Sequence, residues 1–221
     1  MLSCSQPKVF QSLKSSKKVL LLSNFRPDNQ LSMLRFGKLL TSEQPQSLNF
    51  EIQEIFPTPV FTKISTFGKL HKWVAYVDKY LLFPKRLKRE LSNRKDPIHL
   101  IHIIDHSNSV YLPQLKKISQ AKKMITCHDL IAIRTAHGEF SYAPQTSKSG
   151  KRLQRWIHNS LKHADYYACD SRHTKQDLTR LVPGSELNSA VLHLGTETNF
   201  SPKAELATSL QNFPFHPSKT N

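Results

Sequence analysis

Lys18-Val19-Leu20-Leu21-Leu22-Ser23 is a short continuous apolar run that stops at a polar loop, as expected of a strand buried on both faces of a sheet. The pattern repeats outward from it. Leu31, Met33, Leu34, Leu39 and Leu40 suggest a helix, and Phe50 to Phe56 a second strand halted by Pro57 and Pro59. Ile98 to Ile104, Lys123 to Cys127, Tyr166 to Cys169 and Ser189 to Leu192 read as four more strands. Between them lie a long amphipathic stretch, Phe67 to Leu91, and a helix with Leu153, Trp156, Ile157, Ser160, Leu161 and Ala164 on one stripe. Thr174, with Asp177 three residues on, has the spacing of a capping box opening a further helix. Strand–helix–strand units of this size imply one α/β, Rossmann-like domain: a mostly parallel sheet with helices on both faces.

The length of 221 residues suits one substantial core. Residues 1–16, polar and basic, read as a flexible leader, 17–202 as the Rossmann-like domain, and 203–221 as a linker or frayed tail. No apolar run approaches the roughly 20 residues that span a bilayer, and Val19 to Leu22 is too short for a secretory core. The chain is therefore expected in the cytoplasm. Cys4, Cys127 and Cys169 are too widely spaced for a metal knuckle or a disulfide framework. The last two are expected as small core residues.

Charge is the compositional outlier. A net +16 and a pI near 9.9 call for an anionic partner: nucleic acid, acidic lipid or a phosphorylated substrate. Phe67, Leu70, Val74, Val77 and Leu81 form an apolar stripe flanked by Lys69, Lys72, Trp73, Lys79, Lys85 and Arg86. Such a helix suits an anionic membrane surface. It also reads as a core-facing stripe with a solvated basic face. No zinc finger, helix-turn-helix or aromatic RNA-binding pattern accompanies the charge, so nucleic acid rests on basicity alone.

Ligands of open parallel sheets sit outside the carboxyl ends of the strands, which selects four polar loops. In the first, Asn24, Arg26 and Asp28 could meet a substrate, Arg26 as a cationic fork. The loop has no glycine, which argues against a dinucleotide fingerprint, and no Gly-rich phosphate loop occurs elsewhere. No cofactor is called for. His99 and His102 alternate across a strand and cannot share a metal ion, so no metal site is expected. Asp105 and His106 just past that strand are better placed. His128-Asp129 directly follows a buried strand and is the strongest pair, with Arg134 nearby; the imidazole could donate to a substrate hydroxyl while a carboxylate holds its tautomer. Alternatively Asp129 caps the next segment and His128 packs on the loop. Ser171, at the fourth loop, serves either the loop backbone or a ligand.

Val110-Tyr111-Leu112-Pro113 with Lys123-Met124-Ile125-Thr126-Cys127-His128-Asp129-Leu130, then Leu153-Gln154-Arg155-Trp156-Ile157, Ala164-Asp165 and Cys169-Asp170-Ser171-Arg172-His173-Thr174, resemble in order and spacing the retaining family 4 glycosyltransferases of the GT-B fold. The run Gly195-Thr196-Glu197-Thr198-Asn199-Phe200-Ser201-Pro202 resembles that family's exit from its first domain. The likeness covers most of residues 17–202. It implies the acceptor-side half of an enzyme that moves a hexosyl group from a nucleotide-sugar donor to a glycan or lipid-linked acceptor with retention. The resemblance gives His128 a contact with the donor sugar, with Asp129 beside it. The family's donor-holding second domain and its Glu-x7-Glu motif are not found, so this chain alone is expected to be inactive. A non-catalytic basic module for anionic lipid, glycan or nucleic acid is the competing expectation.

Overall fold

Six short strands, β1 (Lys17–Leu22), β2 (Phe50–Ile55), β3 (Leu100–Ile103), β4 (Lys122–Cys127), β5 (Tyr166–Cys169) and β6 (Ser189–Val191), form one sheet in the order β2-β1-β3-β4-β5-β6. Every pairing is parallel. The computed structural model describes residues 16–42, 50–63 and 69–194; the exit motif 195–202, most of the leader and the tail 203–221 lie outside it. Each strand expected from the sequence is present, with ends moved by a residue or two. The α/β, Rossmann-like architecture is as read.

Side chains alternate across the sheet, and its two faces differ. Leu20, Leu22, Ile101, Ile103, Ile125, Cys127, Tyr167 and Cys169 point into one core. There they meet Leu87 of α3 (Phe83–Ser92), Leu112 and Leu115 of α4 (Leu112–Ile118), Ile133 of α5 (Ile131–Ala136), Ile157 and Leu161 of α6 (Lys148–Leu161) and Leu178 of α7 (Arg172–Leu181). Cys127 and Cys169, paired in register across β4 and β5, are fully buried free thiols. The opposite face is covered by α1 (Leu31–Ser42), whose Phe36, Leu39 and Leu40 share a cavity with His102, Met124 and Thr126. Gly37 permits that close approach, because a Cβ there would lie 3.3 Å from both Ile104 and Ser23.

The stretch read as one long amphipathic helix contains a defect. It begins as α2 (Lys69–Val77), opens into a π turn over Asp78–Leu82 and resumes as α3. Pro84 accounts for the break: it has no N–H for the carbonyl of Tyr80, and its ring crowds that carbonyl. Phe83 N–H reaches back five residues to Asp78 O instead. The extra residue rotates the helix, so the stripe expected to continue from Val77 to Leu81 does not. Leu81 is 58% exposed, whereas Asp78 is fully buried. Burial works against the Asp78 charge, but the Thr62 hydroxyl and the amides of Thr62, Phe61 and Val60 outweigh it and hold the carboxyl below its ordinary value.

His102 sits buried in the second sheet face, its Nε2 2.8 Å from Thr126 Oγ1. Burial first, and the nearby His128 ring second, push its imidazole down to about 4. An unfolded chain binds that proton near pH 6.5, so stability is complete above that pH and is lost as pH falls toward 4. The loss by pH 4 is about 3 kcal/mol. In urea titrations between pH 7.5 and pH 4, His102→Gln should lose stability less steeply with acid than the wild type; equal slopes would contradict the assignment.

Candidate active site

The chain leaves β1 to one side for β2 and to the other for β3, so the sheet's switch point lies between β1 and β3, with a crevice outside their carboxyl ends. A buried polar knot fills it. Asn24, only 2% exposed, donates through Nδ2 to Asp105 Oδ2 at 2.6 Å and accepts at Oδ1 from Asn108 Nδ2 at 2.7 Å. Asp105, 5% exposed, also accepts from the amide and hydroxyl of Ser107 at 3.0 and 2.6 Å, capping a 3-10 turn over His106–Tyr111. Burial would push this carboxyl up; His106, the two Ser107 donors and Asn24 together bring it below its ordinary value. His106 Nδ1 lies 3.2 Å from Asp105 Oδ1, yet it is buried and makes no hydrogen bond among the described residues.

His128 stands at the end of β4, beside the knot. Its Nδ1 is 2.6 Å from Asp170 Oδ2 and its Nε2 2.9 Å from the carbonyl of Ile104, with Phe36 of α1 packed edge-on at 5.0 Å. Three strand ends and α1 therefore fix one ring. The carboxylate that orients it is Asp170, not the adjacent Asp129. Asp129 instead accepts from Ile131 N at 3.0 Å in the turn ahead of α5, whose N-cap is Leu130 and carries no side-chain cap. Asp170 lies in the fourth of the loops selected from the sequence, but its pairing with His128 depends on strand register: Cys127 faces Cys169, which brings the following residues, 128 and 170, side by side. Asn108 was missed as an ordinary turn residue.

The remaining expected residues are placed elsewhere. Arg26 lies over the Phe56 ring at 3.9 Å and 3.7 Å from Glu54, while Asp28 pairs with Lys79 at 2.6 Å. Arg134 is bound by Glu139 and Asp177, each at 2.8 Å, and Arg180 joins them. Arg180, then Arg134, hold the Glu139 carboxyl at about 2. Arg134 thus ties α5 to α7 and leaves no fork for a substrate. Ser171 is the N-cap of α7, accepting from Thr174 N at 3.1 Å. The cap expected at Thr174 is displaced by three residues, and the Thr174 hydroxyl donates to His128 O at 3.1 Å. Asp177 serves Arg134 rather than a capping box.

The basic stripe divides as well. Lys72, Trp73 and Lys85 are exposed. Lys79 has turned inward onto Asp28, against the rings of Phe25, Tyr76 and Tyr80, and Arg86 is held by Glu90 and Thr58. The side chain of Lys69 is outside the described set. A cavity of about 450 Å³ opens between the loop after β1 and α2, lined by Phe25, Asp28, Lys72, Tyr76 and Lys79. Among the described residues no three His, Cys, Asp or Glu side chains converge as metal ligands would, and no helix is long and apolar enough to cross a membrane.

No protein-family model matches this chain, and no curated protein does. Solved structures do. The chain is similar to LpCGTa in complex with UDP, with 11% identity and a TM-score of 0.52 over 84% of this chain and 56% of that one. TcCGT1 in complex with UDP gives 12% and 0.52 over 89% and 55%. Apo UGT2 of Phytolacca americana gives 9% and 0.54 over 90% and 56%. The fold is that of a GT-B glycosyltransferase domain. The chain spans little more than half the length of these structures, and identities this low speak for the fold alone.

The knot makes a stability prediction. Asn24→Ala removes a donor from a buried carboxylate and an acceptor from Asn108, at a cost of about 2–3 kcal/mol. A denaturation midpoint unchanged from wild type would show that water replaces the amide without loss.

Proposed function

We propose that this chain is the acceptor-side domain of a retaining glycosyltransferase of the family 4 type, moving a hexosyl group from a nucleotide-sugar to a glycan or lipid-linked acceptor. The observation that carries the reading is the convergence at the switch point. Asn24, Asp105 and Asn108 form a buried polar floor, His106 sets Nδ1 3.2 Å from the Asp105 carboxylate there, and His128 is held at its edge by Asp170. The fold likeness supports a glycosyltransferase-like domain and no more; the family 4 type and retention rest on the resemblance of residues 110–178 to that family.

The assigned roles follow the geometry. The cavity beside Asp28 and Lys79 receives the acceptor. His128 meets the donor sugar: Asp170 keeps Nδ1, and Nε2 exchanges the Ile104 carbonyl for a sugar hydroxyl, so the ring enters the reaction already oriented. Asp129, exposed and one residue on, flanks that contact. Asn24, Asp105 and His106 shape the floor, whereas Arg134 and Ser171 act by holding α5 and α7. The nucleotide is held by a second Rossmann-like domain.

The test is transfer of labelled hexose from a nucleotide-sugar to lipid-linked or glycan acceptors. It is run with this chain alone and with a C-terminal GT-B domain supplied in trans. Transfer should require both parts, the product should keep the donor's anomeric configuration, and His128→Ala should lower the rate by about two orders of magnitude or more. Undiminished transfer by His128→Ala would remove that residue's role, and an inverted product would remove the retaining assignment.

A further inference from the structure

The molecule carries a second surface, which adjoins the cavity assigned to the acceptor along α2 and runs from there onto α6. Trp73 on α2 and Leu81 in the π turn are 60% and 58% exposed, and Trp156 on α6 is 44% exposed. The two tryptophans belong to one aromatic band, and Leu81 is next in sequence to its Tyr80. Trp73 meets Tyr76 at 5.8 Å, Tyr76 meets Tyr80 at 5.5 Å, and Tyr80 meets Trp156 at 5.3 Å, ring centre to ring centre. Tyr80, Trp156 and Lys117 also line a shallow depression of about 370 Å³. Monomeric surfaces scatter large apolar side chains singly; here two helices distant in sequence bring them together.

The surroundings of the band are cationic. Lys72, Lys85, Lys117 and Arg155 are exposed beside it or on the helices that carry it. The acids of the same region are spent: Asp78 is buried under its amide donors, Glu90 is paired with Arg86, and Asp28 with Lys79. Helix α6 has Lys148, Lys151, Arg152 and Arg155 and no acid at all. The π turn is what exposes Leu81, since an unbroken helix would carry the apolar stripe on inward past Val77.

We propose that this band is a docking surface for an anionic lipid bilayer, with Trp73, Leu81 and Trp156 entering the headgroup–acyl boundary and Lys72, Lys85, Lys117 and Arg155 meeting lipid phosphates. Amphipathic rings and aliphatic side chains rimmed by cations are the chemistry of that boundary. Single-stranded nucleic acid would need ring faces free for bases to stack on. In this band the rings cover one another edge-on or tilted, with interplanar angles of 85°, 51° and 57°, and the exposed Leu81 offers nothing to a base.

Trp73 and Trp156 are the only tryptophans in the chain, so intrinsic fluorescence reads this surface directly. The full chain is titrated with phosphatidylcholine vesicles, with vesicles containing about 30% phosphatidylglycerol, and with single-stranded RNA. Only the anionic vesicles should shift emission to the blue, and brominated acyl chains should quench it. Trp73→Ser with Trp156→Ser should reduce co-sedimentation roughly tenfold or more. Lys85→Gln with Lys117→Gln, both outside the acceptor cavity, should weaken it severalfold. Absence of bromolipid quenching, or RNA binding with no vesicle binding, overturns the proposal. Neither result bears on His128, so the surface and the transfer reading fail independently.

Discussion

The charge on Asp105 is buried, and the architecture around the crevice is arranged to keep it so. A carboxylate removed from water is tolerated only when its lone pairs are met by donors. Here the donors come from two directions: Ser107 from its own turn and Asn24 from the loop after β1. Meeting that demand pins the first loop against the third strand, which fixes where the Ile104 carbonyl stands and hence where His128 can lean. The crevice is therefore a consequence of hydrogen-bond satisfaction as much as of strand order. Asn108 closes the arrangement by occupying the remaining face of the Asn24 amide.

A second buried carboxylate solves the same problem for the outer wall. Asp78 gathers three consecutive amides and a hydroxyl from residues 60–62, so the segment after β2 is moored to the helix facing the cavity. Tyr111 adds a tie from the other side, its hydroxyl donating to Lys79 O at 3.0 Å. Both buried carboxyls lie below their ordinary range, although burial opposes ionisation in each.

The sheet was legible because its strands are continuous apolar runs ending at polar residues, a signal carried by neighbours in sequence. The same signal located the loops holding Asn24, Asp105 and His128. What escaped is what neighbours cannot encode. Asp170 reaches His128 through the register of β4 and β5, and Arg134 finds Asp177, 43 residues on, through an ion pair between α5 and α7. Ser171 reads as a loop-backbone or ligand residue, and the Thr174 spacing matches the capping motif three residues late. The π turn was different: Pro84 was a local warning inside the Phe67–Leu91 stretch, and a strict helical period across it put Leu81 on the wrong side.

The strand order also sets a timetable. β1 lies between β2 and β3, so the first strand made remains without its second neighbour until Leu100–Ile103 has been synthesised. The Asn24–Asp105–Asn108 knot cannot close before residue 108 leaves the ribosome, and the His128 ring cannot be clamped before residue 170 does. A chain emerging from its amino end thus assembles the crevice from its floor toward its rim. The contacts that join its two sides are separated by 81 and 42 residues, pairings whose loop closure slows folding.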